Sequence, residues 1–161
     1  MRAQLVAIAS AAGTIAAIVG VTGLVAANAT TLDGSVVIPG FLDIAFHHNR
    51  GISFGLFAQD TEMGSRVLIL FISLLIAVLA VLVYRTSRTI TAVGLGMVIG
   101  GGLANIVDRA IDGAVFDFLV VHLGSQPLFV CNAPDIAISV GFLLWLWDDF
   151  VSERPSEASQ A

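Results

Sequence analysis

Long uncharged apolar runs, broken by short polar stretches, set the pattern of this chain. The first run covers residues 5–27, 23 positions without a charge, and is long enough to cross a hydrocarbon core of about 30 Å. Two more, 67–84 and 90–107, hold 18 uncharged residues each and are joined by Arg85-Thr86-Ser87-Arg88-Thr89. At the helical rise per residue each reaches about 27 Å. A fourth apolar stretch, 134–151, which carries Asp135 near its start and Asp148 and Asp149 near its end, opens behind Asn132 and Ala133 as N-cap residues, with Pro134 at the first helical position, where its missing N–H costs nothing. Between the first two runs, residues 28–66 turn to Gly, Asp, Thr and Asn. Residues 36–38 and 41–46 are β-prone on either side of Pro39-Gly40, which predicts a hairpin or small sheet resting on the bilayer surface. The pattern therefore predicts a mainly α membrane protein: four transmembrane helices (about 5–27, 67–84, 90–107 and 134–151) with a small β-containing extracytoplasmic element. One integral membrane domain is expected over 1–151, with extracytoplasmic segments at 28–66 and 108–133 and a disordered cytoplasmic tail at 152–161.

Composition agrees with a membrane class: 57% of the residues are hydrophobic and 12% charged, against about 25% charged in a typical soluble domain. Ala27-Asn28-Ala29 imitates a signal-peptide cleavage site, but the run before it exceeds the usual h-region of about 7–15 residues, so a retained helix is expected. A net charge of −5 and the lack of any lysine exclude a nucleic-acid binder, which needs a basic face. Cys131 is the sole cysteine, so no internal disulfide can form, and it reads as a small buried hydrophobe. Four spans place both termini on one side. Arg2, Arg85, Arg88 and Arg154 share that side and Arg50, Arg66 and Arg109 the other; setting Arg50 and Arg109 aside as site residues makes the termini cytoplasmic. Tyr84, Trp145 and Trp147 then fall where interfacial anchors belong.

One stretch stands out from this pattern. Residues 100–135 carry four of the twelve acids, Asp108, Asp112, Asp117 and Asp135, between strongly apolar flanks. An ionisable group beside hydrocarbon is expensive, so a functional site is its default reading. Asn105, Asp108 and Arg109 lie on neighbouring turns at the end of the third run. Asp108 opposes the helix dipole there and needs a partner such as Arg109, which the dipole favours. Asp117 sits in the apolar run Ala114-Val115-Phe116-Asp117-Phe118-Leu119, and Asp135 in the first turn of the fourth span. The topology brings both to the outer face, together with the segment that ends in His47-His48-Asn49-Arg50-Gly51. Adjacent histidines on a strand point to opposite faces and no third ligand is evident, so no metal site is expected. Asp43 and Asp112 read as ordinary loop acids. The glycines of the third span, with small-xxx-small spacing at Gly96 and Gly100, read as packing devices, since no lysine follows to make a phosphate loop.

These blocks resemble the bacterial lipoprotein signal peptidases, the signal peptidase II family. Asn49-Arg50-Gly51-Ile52-Ser53-Phe54-Gly55 is similar to its N-x-G-x-x-F-G block. Gly101-Gly102-Leu103-Ala104-Asn105-Ile106-Val107-Asp108-Arg109 and Gly113-Ala114-Val115-Phe116-Asp117-Phe118 are similar to G-G-x-x-N-x-x-D-R and G-x-V-x-D-F, and Asn132-Ala133-Pro134-Asp135 to F-N-x-A-D. The resemblance implies an aspartic endopeptidase of the bacterial inner membrane that removes the signal peptide from diacylglyceryl-modified prolipoproteins, cutting before the lipidated cysteine. It implies Asp117 and Asp135 as the catalytic dyad and Asn49, Gly51, Asn105, Arg109 and Asn132 as substrate-binding residues. Asp108, Gly101 and Gly102 would be structural support. No cofactor or metal is implied. Partners would be lipid-modified prolipoproteins and membrane lipids, the active site would lie near the outer face, and a monomer is expected. The chain departs from the family at residues 20–25, where a D-Q-x-x-K pattern is usual, and at Cys131 and Pro134, where Phe and Ala are usual. The sequence also admits two rival functions. One is a catalytically impaired binding or scaffold protein of the same fold. The other is a small transporter using its carboxylates as proton sites, although its spans lack the charged path one would need.

Overall fold

A computed structural model of the chain describes residues 1–50 and 62–152. The helices are α1 (Arg2–Ala27), α2 (Ala29–Leu32), α3 (Glu62–Arg85), α4 (Thr89–Asp112) and α5 (Ala133–Ser152). Strands β1 (Ser35–Ile38) and β2 (Leu42–Asn49) precede α3, and β3 (Val115–Leu123) and β4 (Gln126–Cys131) lie between α4 and α5. Among the described residues, three helices are long and apolar enough to cross a membrane, namely Arg2–Ala27, Met63–Arg85 and Thr89–Asp112. α5 has 20 residues but carries Asp135 in its first turn and Asp148 and Asp149 near its end. The helices outrun the uncharged segments because their polar ends stay helical. α4 continues through Asp108 and Arg109 to Asp112, a residue expected in a loop, and stops where Gly113 takes a left-handed φ of 71°. The tail beyond Ser152 lies outside the described residues.

α4 is the helix on which the others pack, and its glycines are the reason. A Cβ at Gly96 would stand 2.5 Å from the carbonyl oxygen of Ala7 and one at Gly100 2.8 Å from that of Ala11, both in α1. Gly94 and Gly141 face each other, so a Cβ on either would come within 2.5 Å of the other's carbonyl oxygen and force α5 away from α4. Such close approach supplies the dispersion contacts that hold helices together in lipid, where the hydrophobic effect gives none. Ala92 and Leu95 of α4 are fully buried at the centre, against Ala3 and Ala7 of α1 and Leu79 and Val83 of α3. Trp145, expected as an interfacial anchor, instead packs against this core, while Trp147 and Tyr84 are exposed.

Polar ties also hold α1 to its neighbours. The Gln4 side-chain amide donates to the carbonyl oxygen of Tyr84 at 3.0 Å, capping the end of α3, and Ser10 Oγ donates to the Val93 carbonyl at 2.9 Å. A clamp at the same end of the bundle was not legible in the sequence. The N-cap residue of α4, Arg88, makes no side-chain cap; the cap comes from α5. Asp148 Oδ2 accepts the Thr91 backbone N–H at 3.0 Å and the Thr91 hydroxyl at 2.6 Å, and Arg88 Nε at 3.0 Å, while Arg88 Nη1 donates to Asp149 at 3.1 Å. Asp148→Ala is expected to lower stability by about 1–2 kcal/mol through loss of this cap. Arg88→Ala should lose less, about 0.5 kcal/mol, because that pair is partly exposed. Thermal unfolding of both variants in detergent checks the order.

The sheet differs most from expectation. The hairpin around Pro39-Gly40 is present as β1 and β2, with Gly40 at φ 71°. It is half of a four-stranded antiparallel sheet in the order β1-β2-β3-β4, whose other half comes from the segment expected to be a connecting loop. β3 is a central strand, and its near-continuous apolar run reads as loop-to-helix apolar filler until β2 and β4 flank it. Register places His47 opposite Asp117 and Asn49 opposite Val115, after an irregularity between Ile44 and His47. Asp43, expected to be a loop acid, is in β2 and pairs with His122 Nε2 of β3 at 3.0 Å. His48 turns to Phe116, with ring centroids 6.0 Å apart.

Candidate active site

The end of α4, the first half of β3 and the start of α5 meet below the sheet, and three asparagines bind their acids into one network. Asp117 is 1% exposed. Its Oδ2 accepts the Asn49 side-chain N–H at 2.9 Å and its Oδ1 the Asn132 side-chain N–H at 2.9 Å. Asn132 also donates to Asn105 Oδ1 at 3.2 Å, and Asn105 donates to Asp135 Oδ1 at 3.1 Å. The two carboxylates, 18 residues apart in sequence, are thus linked through Asn132 and Asn105.

Asn132 owes its position to helix α5. The helix begins at Ala133, so Asn132 is the N-cap and Pro134 holds the second helical position, one later than expected. The cap is made: Asn132 Oδ1 accepts the Asp135 backbone N–H at 2.9 Å, and the Asp135 carboxylate in turn accepts the Asn132 backbone N–H. This reciprocal pair is the geometry of a capping box, and it fixes Asp135 at the positive end of the helix dipole.

Arg109 is buried at the last turn of α4, where its Nη1 donates to the Asn105 carbonyl oxygen at 3.2 Å. Its charge is felt by Asp135 and Asp117 more than by Asp108, its expected partner. Asp108 accepts the Phe116 backbone N–H and so ties the end of α4 to β3. Gly101 also serves this corner, since a Cβ there would stand 2.7 Å from the Pro134 carbonyl oxygen and push α5 with its acid outward. Gly102 faces Ile76 of α3. Gly51 and the rest of its block lie outside the described residues.

Burial sets the acid chemistry of Asp117. It raises the carboxyl to about 6; the Asn49 hydrogen bond opposes it, the charge of Asp135 adds to it, and Arg109 and His47 oppose it. Cys131, next to the N-cap, is half-buried, and burial with the charges of Asp135 and Asp117 pushes its thiol up to about 11. It stays a thiol at neutral pH, in keeping with the small-hydrophobe reading.

A cleft of about 210 Å³ opens from this network. Asn49, Asn105, Arg109, Asp117 and Asp135 line its polar end, and Asn132 does not line it. Leu68, Phe71, Ile72, Leu75, Ile76 and Leu79 of α3 form one wall, opposite Val98 and Gly102 of α4 and Ile138 of α5. The three- and four-residue spacing of that wall is visible in the sequence, but α3 is apolar on every side, so the stripe has no contrast there.

A helical membrane bundle capped by a small sheet, with two acids at the mouth of an apolar cleft, is the layout of a membrane enzyme. The profile described as signal peptidase (SPase) II matches residues 11–151. The chain is 39% identical over 114 residues to the lipoprotein signal peptidase of Beijerinckia indica subsp. indica, covering 71% of this chain and 68% of that one. It is 42% identical over 121 residues to that of Caulobacter vibrioides, covering 74% and 71%. A bacterial membrane enzyme solved by the in meso method at 2.3 Å has the same fold, with a TM-score of 0.72 at 23% identity over 94% of this chain and 93% of that one. A second, solved by the same method at 1.9 Å, superposes with a TM-score of 0.73 at 19% identity over 91% and 93%. The chain belongs to the signal peptidase II family, a family of aspartic proteases.

Proposed function

We propose that this chain is a four-span aspartic endopeptidase of the bacterial inner membrane that removes the signal peptide from diacylglyceryl-modified prolipoproteins, cutting before the lipidated cysteine. The observation that carries the reading is the linked pair Asp117 and Asp135 at the polar end of an apolar cleft. α5 is the fourth span, both termini are cytoplasmic, and the sheet and cleft mouth face outward.

In this reading Asp135 is the ionised partner. Arg109 and the N-terminus of α5 both favour an anion there, and it takes a proton from the attacking water. Asp117, desolvated on β3, carries the shared proton and donates it to the scissile carbonyl oxygen. The tetrahedral intermediate collapses as a proton passes to the departing amine. Arg109 offsets negative charge on the intermediate, and Asn49 and Asn105 face the cleft where a substrate backbone would lie. Asn132, at 1% exposure and with its amide committed to its neighbours, positions both acids. The impaired-scaffold alternative draws no support from such an assembled network.

The direct test is cleavage of a lipid-modified precursor by the purified protein in proteoliposomes, with the unmodified precursor as control. Absence of any cleavage of the modified precursor would sink the reading. The pH profile is a second test. With Asp117 raised to about 6, the pair keeps its proton below that pH and loses it above, so kcat/KM is expected to fall on the alkaline side with an apparent pKa of about 6 belonging to the pair. Bound substrate excludes water and raises the proton affinity further, so the alkaline limb of kcat should lie at higher pH than that of kcat/KM. A pH-independent rate between 5 and 9 would contradict the dyad, those limits being about one unit below and three above the Asp117 value.

A further inference from the structure

The adjacent histidines of β2 point to opposite faces of the sheet, and one of them faces the site. From Ile44 to His47 the strand takes three steps while β3 takes two, from Leu119 to Asp117. This extra residue decides the face, since without it Phe46 would stand opposite Asp117. With it His47 does. Directly opposed residues of an antiparallel pair share a face, with Cβ atoms about 4.5–5.5 Å apart. Two contacts fix that face independently. Asn49, two residues on, donates to Asp117 Oδ2 at 2.9 Å, and His48 between them turns the other way to Phe116. His47 is exposed and Asp117 buried. Both oxygens of Asp117 already accept a hydrogen bond, from Asn49 and Asn132, and what His47 adds is charge.

We propose that His47 is a positioning residue of the reaction, whose charge sets how firmly the dyad holds the shared proton. The assignment rests on the peptidase reading and deepens it. A cationic imidazole opposite Asp117 favours the carboxylate and works against the push of burial; a neutral one leaves that push in full. The other groups around Asp117 behave differently. Asp135 of α5 is the ionised partner in the proposed mechanism, and Arg109 of α4 acts as a guanidinium charged at any working pH. Asp108 of α4 is tied to the Phe116 backbone N–H, and Cys131 of β4 stays a thiol at neutral pH. β1 carries no charged residue, and Arg50, just past β2, is exposed and keeps its charge. His122 of β3 pairs with Asp43 five residues along the strand from Asp117, about 16 Å away and beyond the screening length of about 8 Å at physiological salt. Histidine is the side chain that ordinarily changes charge near neutrality. Loss of charge at His47 as the pH rises tightens the hold on the proton, so cleavage extends to higher pH than a fixed cation there would allow.

The test replaces His47 by Gln and by Arg in the full chain in proteoliposomes and compares pH profiles for cleavage of the lipid-modified precursor. Both side chains fit an exposed position, so neither should unfold the protein. The alkaline limb of kcat/KM is expected about 0.5–1 pH unit higher in His47→Gln than in His47→Arg, with wild type between them. Raising the salt to about 1 M should shrink the gap, because the screening length falls to about 3 Å. His48→Gln and His48→Arg, on the opposite face, should differ by less than half as much. Coincident limbs in the two His47 variants, a shift in the reverse order, or an equal shift at His48 overturns the proposal. The infrared band of the protonated Asp117 carboxyl, identified by its loss in Asp117→Asn, follows the same titration without substrate. If wild type cuts no precursor, the peptidase reading falls, and the infrared titration still decides the hold of His47 on Asp117: a midpoint that moves between the Gln and Arg variants supports it, and one that stays in place removes it.

Discussion

Replacing either Asp117 or Asp135 by Asn is expected to cut the single-turnover rate of lipoprotein precursor cleavage by about 10²–10⁴-fold, the usual contribution of a positioned acid or base. In the proposed mechanism the two acids share one water and one proton, so the double variant should be little worse than either single one. The variants should differ in stability, and the structure says which way. Both oxygens of Asp117 accept side-chain N–H groups, from Asn49 and from Asn132. An Asn at 117 presents a donor to one of these donors, and a neighbouring amide must turn over; about 1 kcal/mol of stability should be lost. Asp135 is half-buried, and its carboxylate accepts from the Asn105 side chain and from the Asn132 backbone N–H; the single oxygen of an Asn can keep the Asn105 bond while the capping bond weakens. Asp135→Asn should therefore lose less stability than Asp117→Asn, about 0.5 kcal/mol. Thermal unfolding beside the cleavage assay separates the effects, and retention of activity in both variants removes the dyad from the mechanism.

The second large effect belongs to Asn132, which touches both acids and caps α5. Asn132→Ala leaves Asp117 Oδ1 and Asn105 Oδ1 without this donor and α5 without its side-chain cap. A lost N-cap costs about 0.5–2 kcal/mol and a buried acceptor left without a donor about 1–3. A total loss of about 2–4 kcal/mol is expected, together with a fall in rate. Asn132→Ser tells the two roles apart. Serine is a good N-cap and should restore most of the stability, but it cannot reach Asp117 and Asn105 together, so the rate should remain low. Recovery of both stability and rate in the serine variant would show that Asn132 only caps the helix.

Much of the molecule was legible in the sequence because its strongest signals are one-dimensional. A membrane protein must bury its backbone polar groups in helices, so uncharged runs of sufficient length mark α1, α3 and α4 directly. The hairpin at Pro39-Gly40 was legible for a similar reason, since turn chemistry is local. What escaped is long-range. β3 pairs with β2 across more than sixty residues, and nothing in its apolar run distinguishes a central strand from other buried segments. The extension of α4 to Asp112 was hidden because charged residues read as the end of a span, although the helix only leaves the apolar layer there.

The site divides along the same line. The residue types and spacings of the Asn49, Asn105, Asp108-Arg109, Asp117 and Asn132-Asp135 blocks are properties of the chain alone, and so is the requirement that acids beside hydrocarbon have a reason. Only the tertiary structure decided how they are joined. It placed Asn132 between Asp117 and Asn105, let the charge of Arg109 act on the two site acids more than on Asp108, and gave Asp148 to Thr91 and Arg88 as a helix cap from another helix. Hydrogen bonds of this kind depend on angles and distances set when α4, β3 and α5 close on one another, and close approach at Gly94, Gly101 and Gly141 sets those distances. Composition and spacing cannot encode them; packed helices and a paired strand can.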